Sequence, residues 1–171
     1  MNYFSEFGLE TSFKVNLEKL EELYLAKQVQ YHPDRFLHKD EKEKIEALEK
    51  TILINQAYRT LKSDIERAHH LLELKGVELD LERNLMNFPE MLSEAFEERE
   101  SLNDAESISD LESLLSDAVK KTNEYKESFH FSYENNALSD ASILYKKILY
   151  KNKFIGSIKD KIKSIGKIEC R

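Results

Sequence analysis

Apolar residues recur along this chain at steps of three and four, the spacing that lays one stripe on an α-helix. In the first third, Leu17, Leu20, Tyr24 and Tyr31 form such a series behind Asn16, a residue type that caps helix N-termini, and predict a helix from Asn16 to Tyr31. A polar stretch follows. Asp40 and Glu43 then stand at capping-box spacing before a second series, Ile45, Leu48, Ile52, Tyr58 and Leu61, which predicts an antiparallel second helix with that stripe as its apolar face. Gly76 suits a helix C-cap, and Phe88-Pro89 offers proline at a helix's first turn. Beyond it, Met91, Leu92, Ala95, Phe96 and Leu102 mark one helix. Ile108, Leu111, Leu115, Ala118, Thr122, Tyr125 and Phe129 mark a second, capped by Ser107 with Asp110. Ala141, Leu144, Ile148, Ile155, Ile158, Ile162 and Ile165 mark a third, with Lys151 breaking its seam.

These patterns predict an all-α protein: a helical hairpin unit at residues 1–75, a linker at 76–88 and a three-helix bundle at 89–168. Composition agrees, since 35% of residues are charged and only four are glycine and two proline, which suits long solvated helices. A net charge of −7 argues against a general binder of nucleic acid or anionic membrane, because neutralising phosphates needs a concentrated basic surface. No run of about 20 apolar residues exists to cross a bilayer. Glu6 and Glu10 near the start do not fit a transit or signal peptide, so a cytoplasmic protein is expected. The single cysteine, Cys170, allows no internal disulfide framework. Charge is partitioned: Glu90 to Asp117 holds ten acids against Arg99 alone, while Leu144 to Arg171 holds nine basic residues against Asp160 and Glu169. The two faces could pair with each other or serve a partner.

The candidate chemistry lies between the first two helices, at Tyr31-His32-Pro33-Asp34. Proline denies the residue before it a comfortable helical conformation, so the helix should stop at Tyr31 and display His32 and Asp34 on a loop. His32 and Asp34 do not read as a catalytic pair, because no phosphate cradle, nucleophile elbow or third orienting group accompanies them. Nor do His32, His38, His69 and His70 read as metal ligands: adjacent helical histidines diverge by about 100°, and no cysteine or carboxylate cluster joins them.

An apolar helix, His-Pro-Asp, a short charged loop and a helix carrying Asn55, Ala57, Tyr58 and Leu61 resemble a J-domain, the module that stimulates ATP hydrolysis by DnaK-type chaperones. The opening stretch NYFSEFGL (residues 2–9), Tyr31-His32 leading into Arg35-Phe36, ERAHHLL (66–72) and MLSEAFEERESL (91–102) extend the resemblance to the HscB family, J-type co-chaperones of iron–sulfur cluster assembly. The resemblance implies a non-enzymatic bacterial co-chaperone without a cofactor, which activates a dedicated chaperone, HscA, and delivers the scaffold IscU to it. His32, Pro33 and Asp34, with Lys27 and Arg35, would contact the chaperone. Leu92, Phe96, Glu97 and Glu100, with Tyr150 as an aromatic neighbour, would contact the client. Two departures are visible: the first helix offers Lys19 and Lys27 but Val29 and Gln30 beside the loop, where J-domains are more basic, and Ser93 stands where a larger apolar residue is expected. A J-type co-chaperone for another client and a helical adaptor with an incidental His-Pro-Asp are the alternatives.

Overall fold

The computed structural model describes residues 1–79 and 88–169, with side chains as far as residue 166. Most of the expected linker, residues 80–87, and Cys170 lie outside the described residues. Among those described there is no strand, and the expected all-α class holds. The chain divides into two compact units, Met1–Val77 and Glu78–Arg171.

In the first unit, α1 (Tyr3–Glu6) is capped by the Asn2 side chain, which accepts the Phe4 N–H at 3.0 Å. It places Phe4 in the core and ends at Gly8, whose φ of +63° is the left-handed conformation that glycine adopts without a Cβ clash. α2 (Leu17–Gln30) starts on Asn16, whose side chain accepts the Lys19 N–H at 3.0 Å. A 3-10 turn (Pro33–Phe36) leads to α3 (Glu41–Lys62), and α4 (Asp64–Leu74) follows after a single residue. That residue, Ser63, ends α3 with its N–H and caps α4 with its hydroxyl. α4 closes on a Schellman motif: Gly76, at φ +73°, donates to the Glu73 carbonyl, and Val77 donates to Leu72.

α2 and α3 are antiparallel neighbours, joined by a stack of Tyr24 on Tyr58 with ring centroids 3.9 Å apart and by the Tyr24 hydroxyl donating to Asn55 at 3.1 Å. Only one side of this hairpin is covered. Leu20, Ile54, Ala57 and Leu61 bury themselves with Phe4, Ala68, Leu71 and Leu72, where each large aliphatic side chain contributes roughly 1.5–3 kcal/mol. The expected stripe of α3 is therefore corrected: Ile45, Leu48 and Ile52 are more than half exposed, and the buried stripe is Ala47, Ile54, Ala57 and Leu61. At about 100° per residue the two stripes point to different sides, and α1 and α4 cover only one of them. The Asp40–Glu43 capping box is likewise half formed. Asp40 accepts the Glu43 N–H at 2.8 Å, but the Glu43 carboxylate pairs with Lys39.

Two polar residues hold the unit together from inside. Arg67, buried, donates to the carbonyls of Phe13 and Leu61 and to Asp64, so three chain segments share one guanidinium; burial lowers its pKa against the pull of Asp64. His70, also buried, stacks on Tyr3 at 4.4 Å and accepts the Tyr3 N–H on Nε2 at 3.2 Å. An imidazole that accepts there is neutral, and burial pushes its pKa below the ordinary value despite Glu73 nearby.

In the second unit, α5 (Pro89–Asp104) has proline in its first turn, where no N–H is missed. α6 (Ile108–Glu134) begins on a complete capping box. Asp110 N–H donates to the Ser107 hydroxyl and Ser107 N–H to the Asp110 carboxylate, both at 3.1 Å, and these bonds hold the Asp110 carboxyl below its usual range. Asn136, at φ +56°, turns the chain into α7 (Leu138–Glu169). Ala105, Leu111, Ala118, Ile155 and Ile158 form a buried cluster, with Leu102, Leu115 and Ile162 against it. Tyr133 and Tyr145 are buried as well, two aromatics the periodicity had not singled out. Lys161 reaches across to the carbonyls of Leu102 and Asn103 and closes the C-terminal end of α5.

Candidate functional site

The chemistry singled out in the sequence sits where α2 ends. Tyr31 terminates the helix with its N–H still bonded to the Lys27 carbonyl at 3.0 Å; His32 then turns extended, with ψ 133°, as the following proline requires. Pro33 opens the 3-10 turn, which the Arg35 N–H closes onto the His32 carbonyl at 3.0 Å. Two contacts tie the turn down. The Thr51 hydroxyl on α3 lies 3.2 Å from the Tyr31 carbonyl, and the Arg35 guanidinium reaches back to the Val29 carbonyl at 3.5 Å, placing a cation at the negative end of the α2 dipole.

On this anchored turn the functional groups face water. His32 Nδ1 accepts the Asp34 N–H at 3.3 Å, which leaves Nε2 to carry the proton and point outward as a donor. The Asp34 side chain is 79% exposed, and among the described residues the only ion-pairing group near its carboxylate is the His32 imidazole, whose unprotonated Nδ1 at 3.5 Å offers it no proton. Asp34 is thus a fixed, uncompensated anion at the tip of a hairpin. Nothing in the loop supplies a nucleophile or a base aimed at a cavity, and no group of three metal-ligating side chains occurs among the described residues. Lys27 lies one turn before the loop and is half-buried. Behind the loop is a cleft of about 240 Å³ lined mainly by apolar side chains, from Pro33 and Phe36 to Ala47 and Leu48, together with Tyr31 and Lys44.

The client-face candidates lie on α5 and α7. Phe96 is 62% exposed, so it is not bundle core even though its spacing from Leu92 allowed that reading; Leu92 is half-buried. By helical phase Leu92, Phe96 and Glu100 share one outward face, and Glu97 stands about 100° further round, over a cleft it lines with Ser101, Leu114 and Asp117. Ser93, between these residues, donates to Glu97 at 3.4 Å. Tyr150 is half-buried with Met91 and Ala95 on the α7 side of α5, and Lys153 lies over its ring at 5.6 Å. The structure therefore gathers Leu92, Phe96 and Glu100 and puts Tyr150 on the inner flank of that face. Sequence reasoning missed that Lys151 is buried between Glu94 and Glu98 directly beneath it. The interrupted apolar stripe was the only signal of it.

A helical hairpin tipped by an exposed His-Pro-Asp turn, followed by a separate helical unit, defines a J-domain co-chaperone. No family model matches the chain. The co-chaperone protein HscB of Proteus mirabilis is 39% identical over 117 residues, 68% of each chain, and the HscB homologue of Shewanella frigidimarina is 30% identical over 168 residues, 96% of this chain and 97% of its own. The chaperone HscB from Vibrio cholerae superposes with a TM-score of 0.86 at 26% identity, covering 96% of this chain and 99% of its own. The chain belongs to the HscB family.

Proposed function

We propose that this protein stimulates ATP hydrolysis by a dedicated DnaK-type chaperone, HscA, and delivers to it the iron–sulfur scaffold IscU, without catalysing a reaction itself. The observation that carries the first half is the Asp34 carboxylate, exposed and without a cationic partner among the described residues, on a turn anchored at both ends. A charge-assisted bond from a basic group of the chaperone completes it, and such bonds are roughly twice as strong as neutral ones. Pro33 holds the turn rigid, the His32 Nε2–H supplies a second directional donor, and Lys27 and Arg35 border the contact. A turn already ordered before docking loses little entropy on binding.

The second half rests on the exposed ring of Phe96 beside Leu92, Glu97 and Glu100, with Tyr150 at the flank. An aromatic anchor rimmed by carboxylates suits a partner that offers an apolar pocket near basic residues. In this reading residues 1–75 act as the J-domain, 76–88 as the linker and 89–168 as the client-binding bundle, working in a bacterial cytoplasm. Single-turnover ATP hydrolysis by HscA, with and without IscU and this protein, tests it. Acceleration by this protein that grows further with IscU is expected. No acceleration under any condition refutes the reading, and acceleration indifferent to IscU, with no binding of IscU, assigns another client.

A further inference from the structure

α5 carries the candidate client face, yet little of it is packed. Among its described residues only Met91 is buried, and a cleft of about 330 Å³ opens between the middle of the helix and Leu114, Ala118 and Phe154 on its two neighbours. Polar bonds tie down the rest. Lys161 on α7 donates to the Leu102 and Asn103 carbonyls at 2.5 and 3.2 Å, and the Tyr125 hydroxyl on α6 lies 3.4 Å from the Glu94 carboxylate. The buried ammonium of Lys151 on α7 bonds both Glu94 and Glu98. Each of these carboxylates is two residues from Phe96, about 160° away around the helix, so Lys151 grips the side of α5 opposite the exposed ring.

The face itself is composite. Leu92, Phe96 and Glu100 come from α5 but Tyr150 comes from α7, where Tyr150 and Lys151 line one crevice against Met91, Ala95 and Glu98. The residue that fastens α5 is therefore the chain neighbour of the aromatic that must meet the α5 face. Resting on the function proposed above, we infer that Lys151 is a positioning residue for client binding: without touching the client, it holds α5 on α7 so that Phe96 and Tyr150 present one surface. A face held together before the client arrives loses little freedom on binding, and a loosened one cannot engage both aromatics at once. Charge alone would act the other way. Removing the Lys151 cation makes the face more acidic, which strengthens attraction for a client with basic residues.

Calorimetry of the full chain with IscU tests the inference, with helicity checked at the assay temperature. Wild type is expected to bind, and Tyr150→Ala to lower its affinity about fivefold. Lys151→Met is expected to bind about tenfold more weakly, and in that background Tyr150→Ala should cost less than about twofold, because the ring no longer shares a surface with Phe96. Partial unfolding would instead scale both measurements alike and leave the fivefold ratio in place. Lys151→Leu with Glu98→Leu replaces the ionic clasp by an apolar one at unchanged net charge, and should restore both the affinity and the fivefold effect. Lys151→Gln reads the same loss should Lys151→Met fail to fold. Wild-type affinity in the folded Lys151 variants, a Tyr150→Ala effect as large in them as in the wild type, or an apolar pair that restores neither quantity would each overturn the inference. A wild type that does not bind IscU overturns the underlying reading and this inference with it; unaltered binding by the Lys151 variants touches only the role of Lys151.

Discussion

The ammonium of Lys151 on α7 stands 2.7 Å from the Glu94 carboxylate on α5 and also hydrogen-bonds Glu98 one turn away. Only 8% of the lysine side chain is exposed. Burial by itself pulls the ammonium toward its neutral form, but the two carboxylates outweigh it and hold the lysine charged; burial, in turn, pushes the Glu98 carboxyl up against the pull of Lys151. One cation thus serves two anions and fastens α5 to α7 beneath the candidate client face.

Lys151→Met should therefore destabilise the second unit by about 3 kcal/mol, the low end for breaking a buried pair, because Glu94 keeps a third of its side chain in water. Adding Glu94→Gln and Glu98→Gln should recover much of the loss, since the uncompensated carboxylates, rather than the missing lysine, are what cost stability. Urea unfolding of the single and triple variants measures both, and a triple variant as unstable as the single one would refute this account.

A pH response is expected from His70. Its pKa in the folded chain lies below the ordinary 6.5, so as pH falls the unfolded chain takes up the proton first and the first unit loses stability below pH 6.5. The loss stops growing once the folded histidine is also protonated. Between pH 7.5 and 5, wild type should lose more unfolding free energy than His70→Gln, and equal losses would show that His70 is not the group responsible.

At the loop, His32→Gln and Asp34→Asn alter side chains that are 56% and 79% exposed, so each should change stability by no more than about 0.5 kcal/mol. Stimulation of the chaperone should be lost in both. Circular dichroism melting beside single-turnover hydrolysis separates the two effects.

Phe96→Ala should lower affinity for the scaffold about five- to a hundredfold, because truncating an aromatic anchor costs on the order of 1–3 kcal/mol. The exposed ring contributes little to folding, so the melting temperature should stay nearly constant. Calorimetry showing undiminished affinity would move the client face elsewhere.

Local features were legible in the sequence because their causes lie within four residues. Asn16, the Ser107–Asp110 box, Pro33 and Gly76 act on backbone groups next to them, and each helix end they announced is where the structure puts it. The His-Pro-Asp turn was readable for the same reason.

What only the tertiary structure decided involves partners far apart in the chain. α3 carries two apolar stripes, and nothing local says that α1 and α4 cover Ile54 and Leu61 and leave Leu48 and Ile52 in water. Arg67 finds Phe13 across 54 residues, His70 finds Tyr3 across 67, and Lys151 finds Glu98 across 53. A buried charge or imidazole is tolerated only where such partners converge, and their convergence depends on how whole helices pack. Periodicity identifies an apolar face, whereas burial depends on which other element arrives to cover it.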